Sequence, residues 1–251
     1  MCFTLSGGNG IMLRGKRVLI TGGSRGNGEG IARGMIENQA EVVVFDKIKG
    51  NDTRIHYVEI DITYIEMLAQ KYKEVTDKYG VFDVLVNNAG ITFGATAEEY
   101  PMEKWDLTLN VNLTAPFNLS KLFANDIISS EKKGSIINIT SLGAEFGFPD
   151  NPAYCASKGG LKQLTKALAL DWAKYGIRVN NVGPGYMHTN MTNTSYNDPQ
   201  MYQARLSHMM IKRWGEPADL AGICVFLASS ASEYITGQDI YVDGGWTAKG
   251  L

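Results

Sequence analysis

The strongest evidence for the fold lies in RVLITGGSRGNGEGIA, residues 17–32. An aliphatic run typical of a buried strand leads into a glycine-rich turn, and the residues after the turn have the spacing of an amphipathic helix. Gly22, Gly26 and Gly28 carry no Cβ, so an anionic group can approach the backbone N–H groups at the start of that helix. The strict GxGxxG pattern is not met, because Ile31 occupies the last glycine position. We expect either a nucleotide diphosphate at this turn or a simple tight connection.

The second strand, EVVVFD at residues 41–46, ends in an acidic side chain, Asp46, 18 residues after Gly28. A carboxylate at this offset accepts hydrogen bonds from the adenosine ribose of a dinucleotide and repels a 2′-phosphate. Arg25 and Lys47 act in the opposite direction, since cations near the ribose accommodate that phosphate. Because the carboxylate is fixed and the cations are mobile, we predict NAD as the cofactor and NADP as its alternative.

A third short strand lies in VEIDIT, residues 58–63. Its position beside the second strand predicts that Asp61, with Ile62 next to it, lies on the adenine side of the nucleotide. Asp61 equally has the residue type and position of a helix N-cap.

Short apolar runs alternate with amphipathic stretches along the rest of the chain. Near-continuous hydrophobic strands separated by helices predict a Rossmann-type, doubly wound α/β fold: a parallel sheet of about seven strands with helices on both faces. We expect one domain over residues 14–251, preceded by a flexible extension over residues 1–13. Residues 187–214 interrupt the alternation, which indicates a substrate-covering lobe or a long loop.

Composition excludes several classes of protein. The 251 residues carry a net charge of −2, which gives no electrostatic basis for binding nucleic acid or an anionic membrane. No apolar stretch reaches the ~20 residues of a membrane span. Three cysteines without a CxxC pair favour the reducing cytoplasm, and three histidines without ligand spacing predict no metal site.

In NPAYCASKGG, residues 151–160, a tyrosine stands four residues before a lysine. In a helix this spacing places Tyr154 and Lys158 on the same face. A nearby ammonium favours the phenolate, so we expect Lys158 to lower the pKa of Tyr154 toward the range of acid–base catalysis. The alternative is an ordinary pair of solvated surface neighbours.

Five motifs in this order and spacing resemble the classical short-chain dehydrogenase/reductase family over residues 14–248. They are TGxxxGxG (Thr21 to Gly28), NNAG (Asn87 to Gly90), Ser141 at 13 residues before Tyr154, YxxxK (Tyr154 to Lys158) and PGxxxT (Pro184 to Thr189). The resemblance implies a single Rossmann-type domain, a homotetramer, a nicotinamide cofactor and the interconversion of alcohols and carbonyls.

The resemblance also implies roles for four catalytic residues. Tyr154 is the general base in oxidation and the acid in reduction, and Ser141 holds the substrate oxygen. Lys158 lowers the tyrosine pKa and binds the nicotinamide ribose. Asn112, chosen over Asn110 for its spacing to Phe117, holds a water that relays protons between Lys158 and solvent.

The family pattern assigns further residues to the cofactor. The glycine turn contributes Ser24, Arg25 and Asn27 besides its glycines, and Asn27 departs from the Ile or Leu that the family commonly has there. The loop of NNAG contributes Asn88, Ala89 and Gly90, and the turn of PGxxxT contributes Pro184, Gly185, Met187 and Thr189.

The C-terminal third most resembles the branch acting on sugar acids and polyols, such as gluconate 5-dehydrogenase and 2-deoxy-3-keto-gluconate dehydrogenases. A polar small-molecule substrate requires a polar lining, and the candidates are Glu145, Asn151, Tyr186, His188 and Asn190. The alternatives are a 3-oxoacyl-carrier-protein reductase, a lipid or steroid alcohol dehydrogenase with Phe93, Phe146 and Phe148 in an apolar pocket, and a non-catalytic NAD-binding protein.

Overall fold

The computed structural model describes residues 12–249. The predicted extension over residues 1–13 therefore lies outside the described residues up to residue 11. Leu13 is buried, and its N–H donates to the carbonyl oxygen of Asn38 at 2.7 Å. The packed domain thus includes Leu13, one residue before the boundary predicted at residue 14.

A parallel sheet of seven strands forms the centre of the described chain, in the order β3-β2-β1-β4-β5-β6-β7. The strands are β1 (Arg17–Thr21), β2 (Glu41–Asp46), β3 (His56–Glu59), β4 (Val84–Asn87), β5 (Gly134–Ile139), β6 (Ile177–Pro184) and β7 (Asp239–Val242). The order reverses between β1 and β4, which is the switch point where open α/β sheets bind ligands. This confirms the predicted fold class.

Helices cover the sheet, and two of them, α1 and α5, carry residues of the predicted site. They are α1 (Gly26–Glu37), α2 (Ile65–Tyr79), α3 (Met102–Leu109), α4 (Ala115–Ser129), α5 (Pro152–Trp172), α6 (Asn193–Asn197), α7 (Pro199–His208) and α8 (Ala221–Ala228). Within residues 12–249, no helix has the length and apolarity needed to cross a membrane.

Two apolar cores hold the helices on opposite faces of the sheet. Alternate residues of β1 point to opposite sides, so Val18 and Ile20 pack with Met35 of α1 while Leu19 packs with Phe123 of α4. All five side chains are fully buried, and each contributes about 1.5–3 kcal/mol relative to an exposed position. Burial on both faces explains why the strands are apolar throughout rather than alternating.

Two segments differ in detail from the simplest reading of the sequence. A π-helical turn over Asn110–Thr114 separates α3 from α4 within one continuous helical stretch. The segment 187–214 contains α6 and α7, so it is a helical lobe and not a bare loop. Both segments lie beside the carboxyl edge of the sheet, where the site forms.

Candidate active site

The glycine turn after β1 adopts backbone conformations that other residues rarely accept. Gly22 has φ +66° and Gly26 has φ +55°. A Cβ on Gly28 would lie 2.1 Å from the carbonyl oxygen of Gly22, so even alanine cannot be accommodated there without opening the turn. At Gly26 and Gly28 the first turn of α1 therefore presents its backbone to the cleft, as binding of a diphosphate requires.

Side chains from the end of β4 hold this turn in place. The Asn88 amide donates to the carbonyl oxygens of Thr21 at 3.0 Å and Gly22 at 2.8 Å, while the Thr21 hydroxyl accepts from the N–H groups of Asn88 and Ala89, each at 3.1 Å. Asn87 is buried and bonded to Ser120 and Asn138. Both asparagine side chains thus stabilise the loops, which leaves the backbone of the NNAG segment to face the cleft.

Asp46 lies at the end of β2, next to the glycine turn. Its Oδ2 accepts a hydrogen bond from the Ser24 N–H at 3.0 Å, which orients the carboxylate. The Ser24 hydroxyl points elsewhere and donates to the carbonyl oxygen of Ile48 at 2.7 Å. Ser24 therefore positions Asp46 and is not part of the cleft lining.

Lys47, one of the two cations expected to oppose Asp46, is engaged by Asp61. Lys47 Nζ lies 2.7 Å from Asp61 Oδ2. Burial acts to raise the pKa of Asp61, but hydrogen bonds from Lys47 and Thr63 outweigh it and the pKa is lowered. The interpretation of Asp61 as a helix N-cap is wrong, because α2 begins at Ile65, after Tyr64, and the Asp61 carboxylate bonds Thr63 instead.

Tyr154 and Lys158 lie one turn apart on α5, as their spacing predicted. Lys158 Nζ is 5.9 Å from the centre of the Tyr154 ring and donates to the carbonyl oxygen of Ile139 at 2.7 Å. Burial lowers the pKa of Lys158 from 10.5 to about 8, so the ammonium remains the main form at neutral pH.

The pKa of Tyr154 is raised here, whereas the sequence predicted that Lys158 lowers it. Burial raises the pKa of Tyr154, because desolvation penalises the phenolate, and a hydrogen bond with Ser141 opposes this rise only in part. The Lys158 ammonium is directed at the Ile139 carbonyl rather than at the phenol oxygen.

Ser141 follows β5 and stands opposite Tyr154. Its Oγ accepts from the Gly143 N–H at 3.0 Å, and a Cβ on Gly143 would lie 3.2 Å from Cε1 of Tyr154. The small residue at 143 thus lets the tyrosine ring approach the backbone beside the serine. The two hydroxyl groups share one end of the cleft.

Asn112 occupies the middle of the π-helical turn and is completely buried, whereas Asn110 is exposed. Its Oδ1 accepts from the Ile91 N–H and its Nδ2 donates to the Ile91 carbonyl oxygen, both at 2.9 Å. A Cβ on Gly90 would lie 3.5 Å from both Asn112 Oδ1 and Lys158 Nζ. Asn112 therefore lies beside Lys158, behind the cleft lining.

Most of the predicted site residues line one continuous cleft at the carboxyl edge of the sheet. These are Gly22, Arg25, Gly26, Asn27, Gly28, Asp46, Asp61, Ile62, Asn88, Ala89, Gly90, Ser141, Asn151, Tyr154, Lys158, Pro184, Gly185, Tyr186, Met187, Thr189 and Asn190. The glycine turn and Asp46 lie toward one end of it, and Ser141 and Tyr154 lie with the substrate candidates. Among residues 12–249, no cluster of His, Cys, Asp and Glu could hold a metal ion.

Two substrate candidates lie elsewhere. The Glu145 carboxylate is bonded to Lys162 and Tyr241, and neither Glu145 nor His188 is part of the cleft lining. His188 stacks on Tyr196 at 3.8 Å between ring centres. Both residues were chosen for their position in the sequence, Glu145 near Ser141 and His188 at the start of the lobe. In the structure Glu145 contacts charged and phenolic neighbours and His188 contacts an aromatic ring.

Thr92 and Thr192 contribute to the site and were missed in the sequence. Thr92 Oγ1 donates to Asn151 Oδ1 at 2.6 Å at the substrate end of the cleft. The Thr192 hydroxyl donates to the Met187 carbonyl oxygen and accepts from the Thr189 N–H at 3.1 Å, which shapes the turn after β6. No local pattern distinguishes either threonine from a surface residue, because their partners are brought near only by folding.

The chain was compared with known proteins. The family model described as Enoyl-(Acyl carrier protein) reductase matches residues 22–247. A 2-dehydro-3-deoxy-D-gluconate 5-dehydrogenase from Dickeya dadantii (strain 3937) is 37% identical over 246 residues, covering 94% of this chain and 97% of that protein.

Solved structures agree over nearly the whole chain. A gluconate 5-dehydrogenase from Burkholderia cenocepacia J2315, in complex with NADP and tartrate, superposes with TM-score 0.90 at 33% identity and covers 96% of this chain and 98% of its own. A 4-hydroxyisoleucine dehydrogenase complexed with NADH gives TM-score 0.89 at 29% identity, covering 94% and 100%. The resemblance found in the sequence is thereby confirmed: the chain belongs to the short-chain dehydrogenase/reductase family of NAD(P)-dependent oxidoreductases.

Proposed function

We propose that this protein interconverts a secondary alcohol and a ketone on a sugar acid, by hydride transfer to or from a nicotinamide cofactor. One observation carries the proposal: Ser141, Tyr154 and Lys158 line the same cleft as the glycine turn and Asp46. The sugar-acid substrate is supported by the relatives from Dickeya dadantii and Burkholderia cenocepacia, whose names describe dehydrogenases of such acids.

The cleft residues fit a dinucleotide. The backbone N–H groups from Gly26 to Gly28 would hold the diphosphate, and Asp46 would accept from the adenosine ribose. Lys158 and Asn88 to Gly90 would lie against the remaining sugar portions. When bound, the nicotinamide supplies the acceptor or donor of the hydride.

Tyr154 moves the proton at the substrate oxygen. In reduction the buried, protonated phenol donates to the oxygen that becomes the alcohol, and its raised pKa keeps it in the acid form at neutral pH. In oxidation the phenolate must form first, so we expect the oxidation rate to rise with pH. The Ser141 hydroxyl binds the same substrate oxygen and holds it within reach of Tyr154.

Lys158 and Asn112 restore the proton to Tyr154. With its pKa lowered by burial to about 8, Lys158 is a cation that gives up a proton more readily than an exposed lysine. The Asn112 side chain fixes the Ile91 backbone, and its Oδ1 lies on the same side of Gly90 as Lys158 Nζ. A water held between them would connect Lys158 to solvent.

NAD is proposed as the preferred cofactor, with NADP as the alternative. Asp46 is oriented by the Ser24 N–H, and Lys47 is paired with Asp61, so the fixed charge near the ribose is negative. Arg25 is exposed and remains the cation available to a 2′-phosphate. Three of the similar solved structures contain NADP and one contains NADH, so the proposal of NAD rests on the residues of this chain alone.

A homotetramer in the cytoplasm is proposed as the state of the protein. Leu170 on α5 is 81% exposed although its neighbours Leu168 and Ala169 are buried, as expected for a helix that also packs on another subunit. Sedimentation at micromolar concentration tests the assembly: a species of 27.5 kDa alone would contradict it.

The decisive experiment is a turnover assay with NAD and NADP against sugar acids, polyols, an acyl thioester ketone and an apolar secondary alcohol. The apolar alcohol is included because Phe93 and Phe148 line the cleft. We expect turnover of a sugar acid with NAD. Activity confined to the thioester with NADPH, or to the apolar alcohol, would overturn the proposed substrate while leaving the assignment of Tyr154 intact.

A further inference from the structure

A sugar acid brings a carboxylate into the cleft, and the lining offers it no free cation near Tyr154. Of the cations that line the cleft among residues 12–249, Lys47 is paired with Asp61 and Lys158 donates to the Ile139 carbonyl oxygen. Arg25 belongs to the glycine turn at the dinucleotide end. A substrate carboxylate therefore needs a positive group from just behind the lining.

Arg205, on helix α7 of the lobe, stands in such a position. Its guanidinium carbon lies 4.7 Å from the centre of the Tyr186 ring, and Tyr186 lines the cleft. The side chain is half-buried, and its Nε is fully buried without a hydrogen-bond partner. Within the described part of the chain, no carboxylate lies within 4.0 Å of this guanidinium.

Tyr186 connects Arg205 to the reacting groups. It follows Gly185 after β6, and its phenol is close enough to contribute to the raised pKa of Tyr154. Residues Asn190, Met191 and Ser195 of the same lobe also line the cleft, so the lobe reaches the cleft through α6 and the turn before it. A substrate carboxylate bound beside Tyr186 would therefore lie next to the lobe that carries Arg205.

We propose that Arg205 binds the carboxylate of the substrate and so sets the preference for acids over neutral alcohols. This rests on the proposed function. The guanidinium offers several N–H donors in one plane, which match the two oxygens of a carboxylate. Arg205 Nε is buried and has no hydrogen-bond partner in the described chain, so no protein acceptor holds the guanidinium through this donor.

Lys104 is the competing cation. Its Nζ lies 4.7 Å from the centre of the Phe93 ring, and Phe93 lines the cleft. It is an ammonium on a flexible chain, without an orphaned buried donor, so we assign the role to Arg205 and use Lys104 as the matched control.

The test compares Arg205→Met, Arg205→Lys and Lys104→Met with the wild type. Each is assayed on the sugar acid that the wild type oxidises best and on the primary amide of that acid, which is neutral and nearly isosteric. For Arg205→Met we expect KM for the acid to rise about 10- to 100-fold, kcat to change by less than about threefold, and KM for the amide to stay constant. Arg205→Lys should recover part of the loss, and Lys104→Met should resemble the wild type. The NADH affinity should be unchanged in all three variants.

The possible failures are distinguishable. If the wild type turns over no sugar acid, the proposed function falls and this inference falls with it. If the wild type oxidises the acid but Arg205→Met keeps its KM, only the role of Arg205 is overturned. Equal losses on acid and amide would show that Arg205 merely supports Tyr186, and a loss in Lys104→Met instead would move the role to Lys104.

Discussion

Lys158 Nζ donates a hydrogen bond to the carbonyl oxygen of Ile139 at 2.7 Å, which joins α5 to the last residue of β5. The contact keeps the lysine buried, one helical turn from Tyr154. A buried ammonium with one carbonyl partner is poorly solvated, which is why the pKa of Lys158 falls to about 8. Burial of this ammonium therefore destabilises the folded protein at neutral pH, in the same group that we propose for the proton relay.

This cost makes the stability of the apoprotein depend on pH. The folded pKa of about 8 lies below the unfolded value of 10.5, so the folded state binds fewer protons between these values and the penalty disappears as pH rises through that window. Replacing Lys158 by Met removes the dependence. Between pH 7 and pH 9.5, we expect the unfolding free energy of the wild type to rise by about 2 kcal/mol relative to that of Lys158→Met.

Urea denaturation without cofactor measures this shift. The control is Lys73→Met, because Lys73 is exposed and paired only with Asp77 on the surface. The difference in unfolding free energy between Lys73→Met and the wild type should not change with pH. An equally constant difference for Lys158→Met would show that Lys158 has an ordinary pKa in the folded protein.

Replacing Tyr154 by Phe removes the acid–base group and keeps the ring. We expect kcat to fall by about 10²- to 10⁴-fold, while NADH affinity stays within a few-fold because the ring still packs on Gly143. Steady-state kinetics and NADH fluorescence titration measure the two quantities. Turnover within about twofold of the wild type would contradict the proposed mechanism.

Replacing Gly28 by Ala forces a Cβ to within 2.1 Å of the Gly22 carbonyl oxygen. The turn has to open, so we expect the unfolding free energy to fall by about 1–3 kcal/mol and NADH affinity to fall at least about tenfold. Gly222 in α8 is the matched control, since nothing lies within 4 Å of its would-be Cβ. Gly222→Ala should stabilise the protein by about 0.5–1 kcal/mol and leave NADH affinity unchanged. Equal behaviour of the two variants would contradict the close contact at Gly28.

Replacing Asp46 by Asn removes charge and retains an oxygen that can accept from the Ser24 N–H. We expect the ratio of NADP to NAD affinity to rise at least about tenfold, because the 2′-phosphate no longer meets a negative group. Dissociation constants from fluorescence titration provide the measurement. Glu59→Gln is the control, as Glu59 is exposed at the end of β3 and outside the cleft. An unchanged ratio in Asp46→Asn would show that other residues select the cofactor.

The order of strands and helices was predictable because each strand of a sheet covered on both faces is apolar along its whole length. The π-helical turn at 110–114 was not, since the apolar spacing continues through α3 and α4 on either side of it. The π-helical turn matters, because it places the side-chain amide of Asn112 against the Ile91 backbone. Of the two asparagines compared in the sequence, Asn112 is buried and Asn110 is exposed.

Residues whose role depends on local backbone were visible in the sequence, and residues whose role depends on distant partners were not. The glycine turn and the pair Tyr154 and Lys158 follow from spacing along one strand-turn-helix unit and one helix. The Glu145 carboxylate accepts a hydrogen bond from Tyr241, 96 residues away along the chain. The charge of the cleft depends on the ion pair between Lys47 and Asp61, which follow two different strands. Long-range partners are chosen by packing, which brings together side chains that no spacing along the chain relates.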